Sequence, residues 1–101
     1  MRVRLLCRGP IQEHPENPLA GISHFHWEED FTNYTAVYTR DEMFNFLKNG
    51  NEAYITDPDD PLRKARIYCS YGHAKNGDCY IFTKIHGQET NHLLNLVECK
   101  S

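Results

Sequence analysis

Long apolar runs and an excess of positive charge are both missing from this chain of 101 residues. A membrane-spanning helix needs roughly 18 to 20 consecutive apolar residues, and no stretch approaches that length. The N-terminal run Val3 to Cys7 is interrupted by Arg4 and is too short for the core of a signal peptide. The 11 lysines and arginines are outnumbered by 14 acidic residues, so the formal charge of −3 gives no global preference for nucleic acid or an anionic membrane. We therefore expect a cytoplasmic protein without a membrane partner.

Enzyme motifs are missing as well. The sequence contains no glycine-rich phosphate loop, no nucleophile elbow and no dinucleotide fingerprint. Cys69 and His73 would pair a thiolate with a base, but four residues of extended strand place them about 13 Å apart, beyond hydrogen-bond reach. The aspartates at 57, 59 and 60 lack the glycine and the distal glutamate of a calcium loop. We therefore predict that the protein is not an enzyme and needs no cofactor.

The chain has four cysteines, at positions 7, 69, 79 and 99, an even number that would suggest disulfides in a small secreted protein. No secretion signal accompanies them, and cytosolic proteins keep their thiols reduced. We therefore predict four reduced thiols, with Cys69 or Cys79 buried against a helix. Chain termini often meet in small domains, so the pairing of Cys7 with Cys99 stays open.

The chain contains enough apolar material for one core. Hydrophobic residues make up 40% of the sequence, which at this length supports one domain and not two. Charged and apolar residues alternate near the N-terminus, a pattern typical of a half-exposed strand. We predict a single domain at 1–101, formed by this strand at 2–8, a proline-containing loop at 9–21 and a core at 22–99.

The clearest helix signal begins at Thr39. A threonine followed three residues later by Glu42 is a capping box, in which each side chain bonds the backbone N–H of the other residue. We predict a helix at about 40–48, ended by Asn49 and Gly50. The side chains predicted to face the core are Met43, Phe44 and Leu47.

A tight hairpin is predicted at Lys75-Asn76-Gly77-Asp78, because Asn-Gly supplies the two positive-φ residues of a type I′ turn. With this turn, Cys69 lies opposite Lys84 across the hairpin. Cys69 and Cys79 then point to opposite faces, which excludes a bond between them. One face is predicted to carry Ile67, Cys69, Tyr71, His73, Tyr80 and Phe82.

Together these elements predict an α+β fold. Strands outnumber helices, and a helix of about nine residues is marginal unless it packs on a sheet. We predict a single small domain in which a twisted antiparallel sheet of about five to six strands packs against one short helix. The leucine-rich tail at 92–97 forms either a helical turn or a last strand, and we favour a turn that closes the open end of the core.

Four segments carry a resemblance to a known family: the helix with its Gly50 stop, the short strand around Tyr54, the strand 80–83 and the closing segment 91–99. Together they resemble a family of small bacterial proteins, domain of unknown function 3892. The closing motif of that family reads Asp-Asn-Leu-Leu and then Leu-Pro-x-Cys, from which this chain departs at His92 and Val97. The resemblance covers 22–99 and implies a shared fold. It implies no activity, because none is established for the family.

Two histidines are candidate metal ligands. His24 and His26 lie two apart in a predicted strand, so both imidazoles point to one side, as first-row metal sites require. A third ligand would have to come from elsewhere, such as Glu28, Cys69 or His73. Exposed or hydrogen-bonded histidines are the other interpretation.

The one dense basic stretch is a candidate binding site. Basic strands with aromatic residues hold phosphates while their rings stack on bases. Alternatively, Arg63 and Lys64 only balance the negative charge of the preceding aspartates. Nucleic acid is therefore an alternative partner, which the net charge does not favour. The binding residues predicted in this stretch are Arg63, Lys64, Arg66 and Tyr68.

Our leading hypothesis is a small non-enzymatic interaction module that binds another protein, as an accessory or inhibitor protein of a bacterium or its phage would. Six tyrosines and one tryptophan support it, because these residues combine apolar area with a polar group at interfaces. The alternative is a small metal- or nucleic-acid-binding domain that uses the histidines or the basic stretch. An enzyme is a third option, for which the sequence indicates no reaction.

Overall fold

The computed structural model describes residues 1–11, 18–57, 60–71, 79–85, 87–90 and 92–99. The strands in these ranges are β1 (Arg2–Arg8), β2 (His24–Glu29), β3 (Thr35–Thr39), β4 (Glu52–Asp57), β5 (Asp60–Tyr71), β6 (Cys79–Ile85) and β7 (Gln88–Thr90). The same ranges contain one α-helix, α1 (Arg40–Lys48), and two 3₁₀ turns, Pro18–Gly21 and His92–Asn95. The helical segments in these ranges lack the length and apolar character that a membrane crossing demands.

All seven strands belong to one sheet in the order β3-β2-β1-β4-β5-β6-β7. Neighbouring strands are antiparallel except β1 and β4, which are parallel, with Val3 beside Ala53. The parallel pair arises because α1 carries the chain from the edge strand β3 across the sheet to β4. The predicted α+β fold with one helix on a sheet is confirmed. The sheet is mixed, not wholly antiparallel, and in the described residues it has seven strands where five to six were predicted, the last of them the three-residue β7.

The helix begins and ends where the sequence predicts. Thr39 Oγ1 accepts a hydrogen bond from the N–H of Glu42 at 3.2 Å, and Glu42 Oε1 accepts one from the N–H of Thr39 at 3.0 Å. The chain leaves the helix through Gly50, whose φ of +91° favours glycine. The buried helix residues are Met43, Phe44 and Phe46, while Leu47 is partly buried. Phe46 is the core residue that the sequence pattern missed.

The core lies between α1 and one face of the sheet. Phe46 stacks on Trp27, with ring centroids 6.4 Å apart and planes 16° from parallel. Leu93 in the last 3₁₀ turn is fully buried, so the tail closes the core as a turn, which was the favoured alternative. The strand side chains of the core include Val3, Leu5, Phe25, Trp27, Ala53, Ile55, Ile67 and Ile81.

The hairpin register of β5 and β6 differs from the prediction. Cys69 lies opposite Ile81 and not opposite Lys84, a shift of three residues. Because the shift is odd, it changes which residues of the two strands share a face. The observed register places Ile67 and Ile81 together in the core, which the two-residue turn would have prevented. The predicted turn at 75–78 lies outside the described residues.

The two ends of the chain are joined by a disulfide between Cys7 and Cys99, whose Cα atoms are 5.0 Å apart. The last segment runs beside β1, where the N–H of Arg8 donates to Val97 O at 2.9 Å and the N–H of Cys99 donates to Arg8 O at 2.7 Å. The prediction of four reduced thiols is therefore wrong for this pair, and the pairing left open is the one formed. Cys69 is a free thiol that packs partly buried against the core.

Candidate functional site

The face of the sheet opposite α1, called the open face below, gathers basic and aromatic side chains from four strands. Side chains alternate along a strand, so the burial of Val3 and Leu5 directs Arg2 and Arg4 to the other side of β1. In β4, β5 and β6 as well, every second side chain points to the open face, and the register between the strands places these side chains next to one another. The described side chains of the open face in these strands include Arg2, Arg4, Glu52, Tyr54, Lys64, Arg66, Tyr68, Phe82 and Lys84.

Two tyrosines of this face are each surrounded by cationic side chains, and each such group is called a centre below. The first centre is formed around Tyr54. Arg2 Cζ lies 4.8 Å and Lys64 Nζ 4.7 Å from the centroid of its ring, distances at which a cation is attracted to the π-face. Its hydroxyl donates a hydrogen bond of 2.7 Å to Asp30 Oδ1. Burial, together with this bond, raises the pKa of the Tyr54 hydroxyl above its usual 10.0. Tyr54 therefore stays neutral and is held in one orientation.

A small pocket of about 150 Å³ opens beside Tyr54. Three of its side chains, Arg2, Lys64 and Arg66, are cationic, and one, Glu52, is anionic. Glu52 Oε1 lies 3.9 Å from Arg66 Nη2, a long ion pair between two half-exposed side chains. The pocket therefore has excess positive charge and suits an anion.

Tyr68 forms the second centre. Its ring is stacked on Phe82, with centroids 6.0 Å apart and planes 25° from parallel, and the residue keeps 36% of its surface exposed. Arg66 Cζ lies 5.6 Å and Lys84 Nζ 4.9 Å from the Tyr68 centroid. An exposed ring flanked by two cations can accept a planar group and a phosphate side by side.

The two centres are neighbours because β5 changes partner along its length. Up to Arg66 this strand pairs with β4, where Tyr54 lies opposite Arg66. From Ile67 onward it pairs with β6, where Tyr68 lies opposite Phe82. Arg66 therefore lines the pocket and also lies over the Tyr68 ring.

Acidic side chains balance part of the positive charge. Arg4 Nη2 lies 3.1 Å from Glu28 Oε1, and Arg2 Nε lies 3.5 Å from Asp30 Oδ2. Within the described part of the chain, Lys64 and Lys84 contact aromatic rings and form no ion pair.

Three of the four binding residues predicted from the basic stretch lie together. Lys64, Arg66 and Tyr68 alternate along β5 on the open face, while the side chain of Arg63 lies outside the described residues. Sequence reasoning missed the partners that other strands supply. Their only sequence signal is alternation within each strand, because the register between strands is not encoded locally. These missed residues are Arg2, Tyr54, Phe82 and Lys84.

His24 and His26 lie in β2, two residues apart, as predicted. His24 Nδ1 is hydrogen-bonded to Ser23 Oγ at 2.9 Å, and the His24 ring packs so closely on Gly9 that a Cβ there would collide with it. No cluster of three His, Cys, Asp or Glu side chains occurs among the described residues. Metal binding by the two histidines stays a prediction.

Comparison with known proteins returns no match from protein-family models, from curated proteins or from solved structures. The resemblance to domain of unknown function 3892 therefore stays a prediction.

Proposed function

We propose that the protein binds single-stranded nucleic acid on the open face of its sheet. The observation that carries this proposal is the partly exposed Tyr68 ring, which is stacked on Phe82 and flanked by Arg66 and Lys84. Proteins that bind single strands combine aromatic rings, on which bases stack, with cations that follow the backbone. The predicted basic stretch supplies half of this arrangement, and β6 supplies the rest.

A single strand fits this face better than a duplex. A base can stack on Tyr68 only when it is not already stacked and paired within a helix. The net charge of −3 does not oppose binding, because the cations are concentrated on one face and act at short range. The expected binding is modest in affinity and sensitive to salt.

We propose that the protein acts as a non-enzymatic, cytoplasmic binding module. A reducing cytosol would open the Cys7–Cys99 disulfide that the structure contains. The backbone bonds between Arg8 and the residues Val97 and Cys99 would still hold the tail beside β1.

The test is fluorescence anisotropy with a labelled oligo(dT) or oligo(U) of about 12 nucleotides, a length within the site sizes of known single-strand binders. Wild-type protein should bind both, and the matching duplex should bind more weakly. Tyr68→Ala should weaken binding about 5- to 150-fold through the lost stacking, while the matched control Tyr68→Phe should retain it. An unchanged anisotropy up to about 10⁻⁴ M protein, the weak end of non-specific binding, would refute the proposal.

A protein partner remains the second candidate, and one observation favours it. Phe31 lies in the turn between β2 and β3 with 89% of its surface exposed. The turn is held by Glu29 Oε2, which accepts hydrogen bonds from the N–H of Phe31 at 2.9 Å and of Thr32 at 2.6 Å. An ordered apolar residue loses little entropy when it enters the pocket of a partner.

Capture of a protein partner by two variants, Phe31→Ala and Tyr68→Ala, tests this second candidate. A protein captured by the wild-type chain should be lost with Phe31→Ala and kept with Tyr68→Ala. Equal capture by both variants would count against this turn as the docking element.

A further inference from the structure

The two aromatic centres of the open face are not equivalent. Tyr54 is only 7% exposed, it is covered by Arg2 and Lys64, and its hydroxyl is bonded to Asp30. A base therefore has no free ring surface to stack on at Tyr54. Tyr68 also has two cations at its ring, but it keeps 36% of its surface exposed, so a base can reach it and the two centres have different ligands.

The size of the Tyr54 pocket limits what it can hold. Its volume of about 150 Å³ corresponds to about five water molecules at roughly 30 Å³ each. A phosphate group fits such a volume. Its three cationic side chains outnumber Glu52 and the Asp30 carboxylate that pairs with Arg2, and the remaining positive charge matches the single negative charge of a phosphate diester.

We infer that the Tyr54 pocket is a phosphate site, that the adjacent base stacks on Tyr68, and that Glu52 competes with the phosphate for Arg66. This inference rests on the proposed function and assigns its parts. Arg66 links the two sites, since its guanidinium lines the pocket and lies 5.6 Å from the Tyr68 centroid. One nucleotide of a single strand therefore spans both centres.

Glu52 acts as an internal anion. Its carboxylate lies 3.9 Å from Arg66 Nη2, at the edge of the pocket where a phosphate oxygen would bind. Both side chains are about half exposed, so the pair is weak and easily displaced. Removal of this carboxylate should therefore strengthen nucleic-acid binding, which is not expected of a residue with a structural role alone.

The experiment measures the affinity for labelled oligo(dT) at several salt concentrations. The slope of log K against log salt is negative, and Lys64→Gln should make it less steep by about 0.7, the value of one phosphate contact on a single strand. Glu52→Gln should raise the affinity about two- to five-fold, the value of one exposed ion pair. Tyr68→Ala should lower the affinity and leave the slope unchanged. Lys48→Gln, on the helix at the other side of the sheet, is the matched control and should change neither.

A second oligonucleotide separates the contribution of the phosphate site to binding from the contribution of base stacking. Oligo(dT) with uncharged methylphosphonate linkages has no charge for the pocket, so Lys64→Gln and Glu52→Gln should bind it as wild type does. The unfolding midpoint of each variant, followed by Trp27 fluorescence, shows that the fold is retained.

The outcomes distinguish the two proposals. If wild-type protein binds oligo(dT) while Lys64→Gln and Glu52→Gln behave as wild type, the phosphate site is overturned and the proposed function stands. If wild-type protein binds no oligonucleotide, both fail.

Discussion

Glu29 organises the turn between β2 and β3 from a nearly buried position, with 7% of its surface exposed. Its Oε2 accepts hydrogen bonds from the backbone and hydroxyl of Thr32 and from the backbone of Phe31. The chain passes through Asn33 at a φ of +58°, a conformation that asparagine tolerates. These bonds, above all the one from the Thr32 N–H, hold the pKa of the Glu29 carboxyl below its usual 4.5.

We expect Glu29 to make stability depend on acid pH. Because the pKa is lower in the folded protein than in the unfolded chain, the ionised carboxylate stabilises the fold above about pH 4.5, and this contribution is lost as the pH falls through the folded pKa. Glu29→Gln should therefore lower the Tm at neutral pH, and the difference from wild type should shrink below about pH 4. Thermal denaturation followed by circular dichroism measures this, and a constant difference across the pH range would contradict it.

Helix α1 is the element whose stability depends most on local sequence. It has nine residues, too few to be stable in isolation, so its capping box and its packing on the sheet must both contribute. Asp41 and Glu42 in its first turn and Lys48 in its last also complement the helix dipole.

Thr39→Ala should lower the free energy of unfolding by about 1 kcal/mol, because the N–H of Glu42 loses the threonine hydroxyl that caps it. Urea denaturation followed by Trp27 fluorescence is a suitable measurement, since Trp27 is buried and stacks on Phe46 of the helix. Thr39→Ser keeps a hydroxyl cap and should stay close to wild type. Equal losses in the two variants would argue that the cap contributes nothing.

At the scale of the whole molecule, the Cys7–Cys99 disulfide ties the first strand to the tail that closes the core. The two cysteines are 92 residues apart, so the bond restricts almost the entire unfolded chain. The tail also carries the buried Leu93, and Leu94 O accepts a hydrogen bond of 3.1 Å from Arg8 Nε.

Reduction of this bond should lower the free energy of unfolding by about 2 to 5 kcal/mol, because the unfolded chain regains the entropy of an open loop. Urea denaturation with and without dithiothreitol measures the effect on wild-type protein. The double variant Cys7→Ser with Cys99→Ser is the control and should not respond to the reductant. A wild-type midpoint that does not move on reduction would show that the bond adds no stability.

The sequence by itself determined the features that depend on neighbouring residues. The helix could be predicted with both ends, because its cap, Thr39 with Glu42, spans four residues. Strand β1 could also be predicted, because alternation is a property of one strand.

Tertiary structure decided what depends on residues far apart in the chain. The register of β5 and β6 follows the joint burial of Ile67 and Ile81, which outweighed the local Asn-Gly turn signal. The Tyr54 pocket exists only because the parallel pairing of β1 with β4 places Arg2 beside residues 50 positions later. Cys7 pairs with Cys99 because the tail packs beside β1, which also depends on residues far apart in the chain. Such long-range contacts are selected by burial of the core as a whole, and no local pattern specifies them.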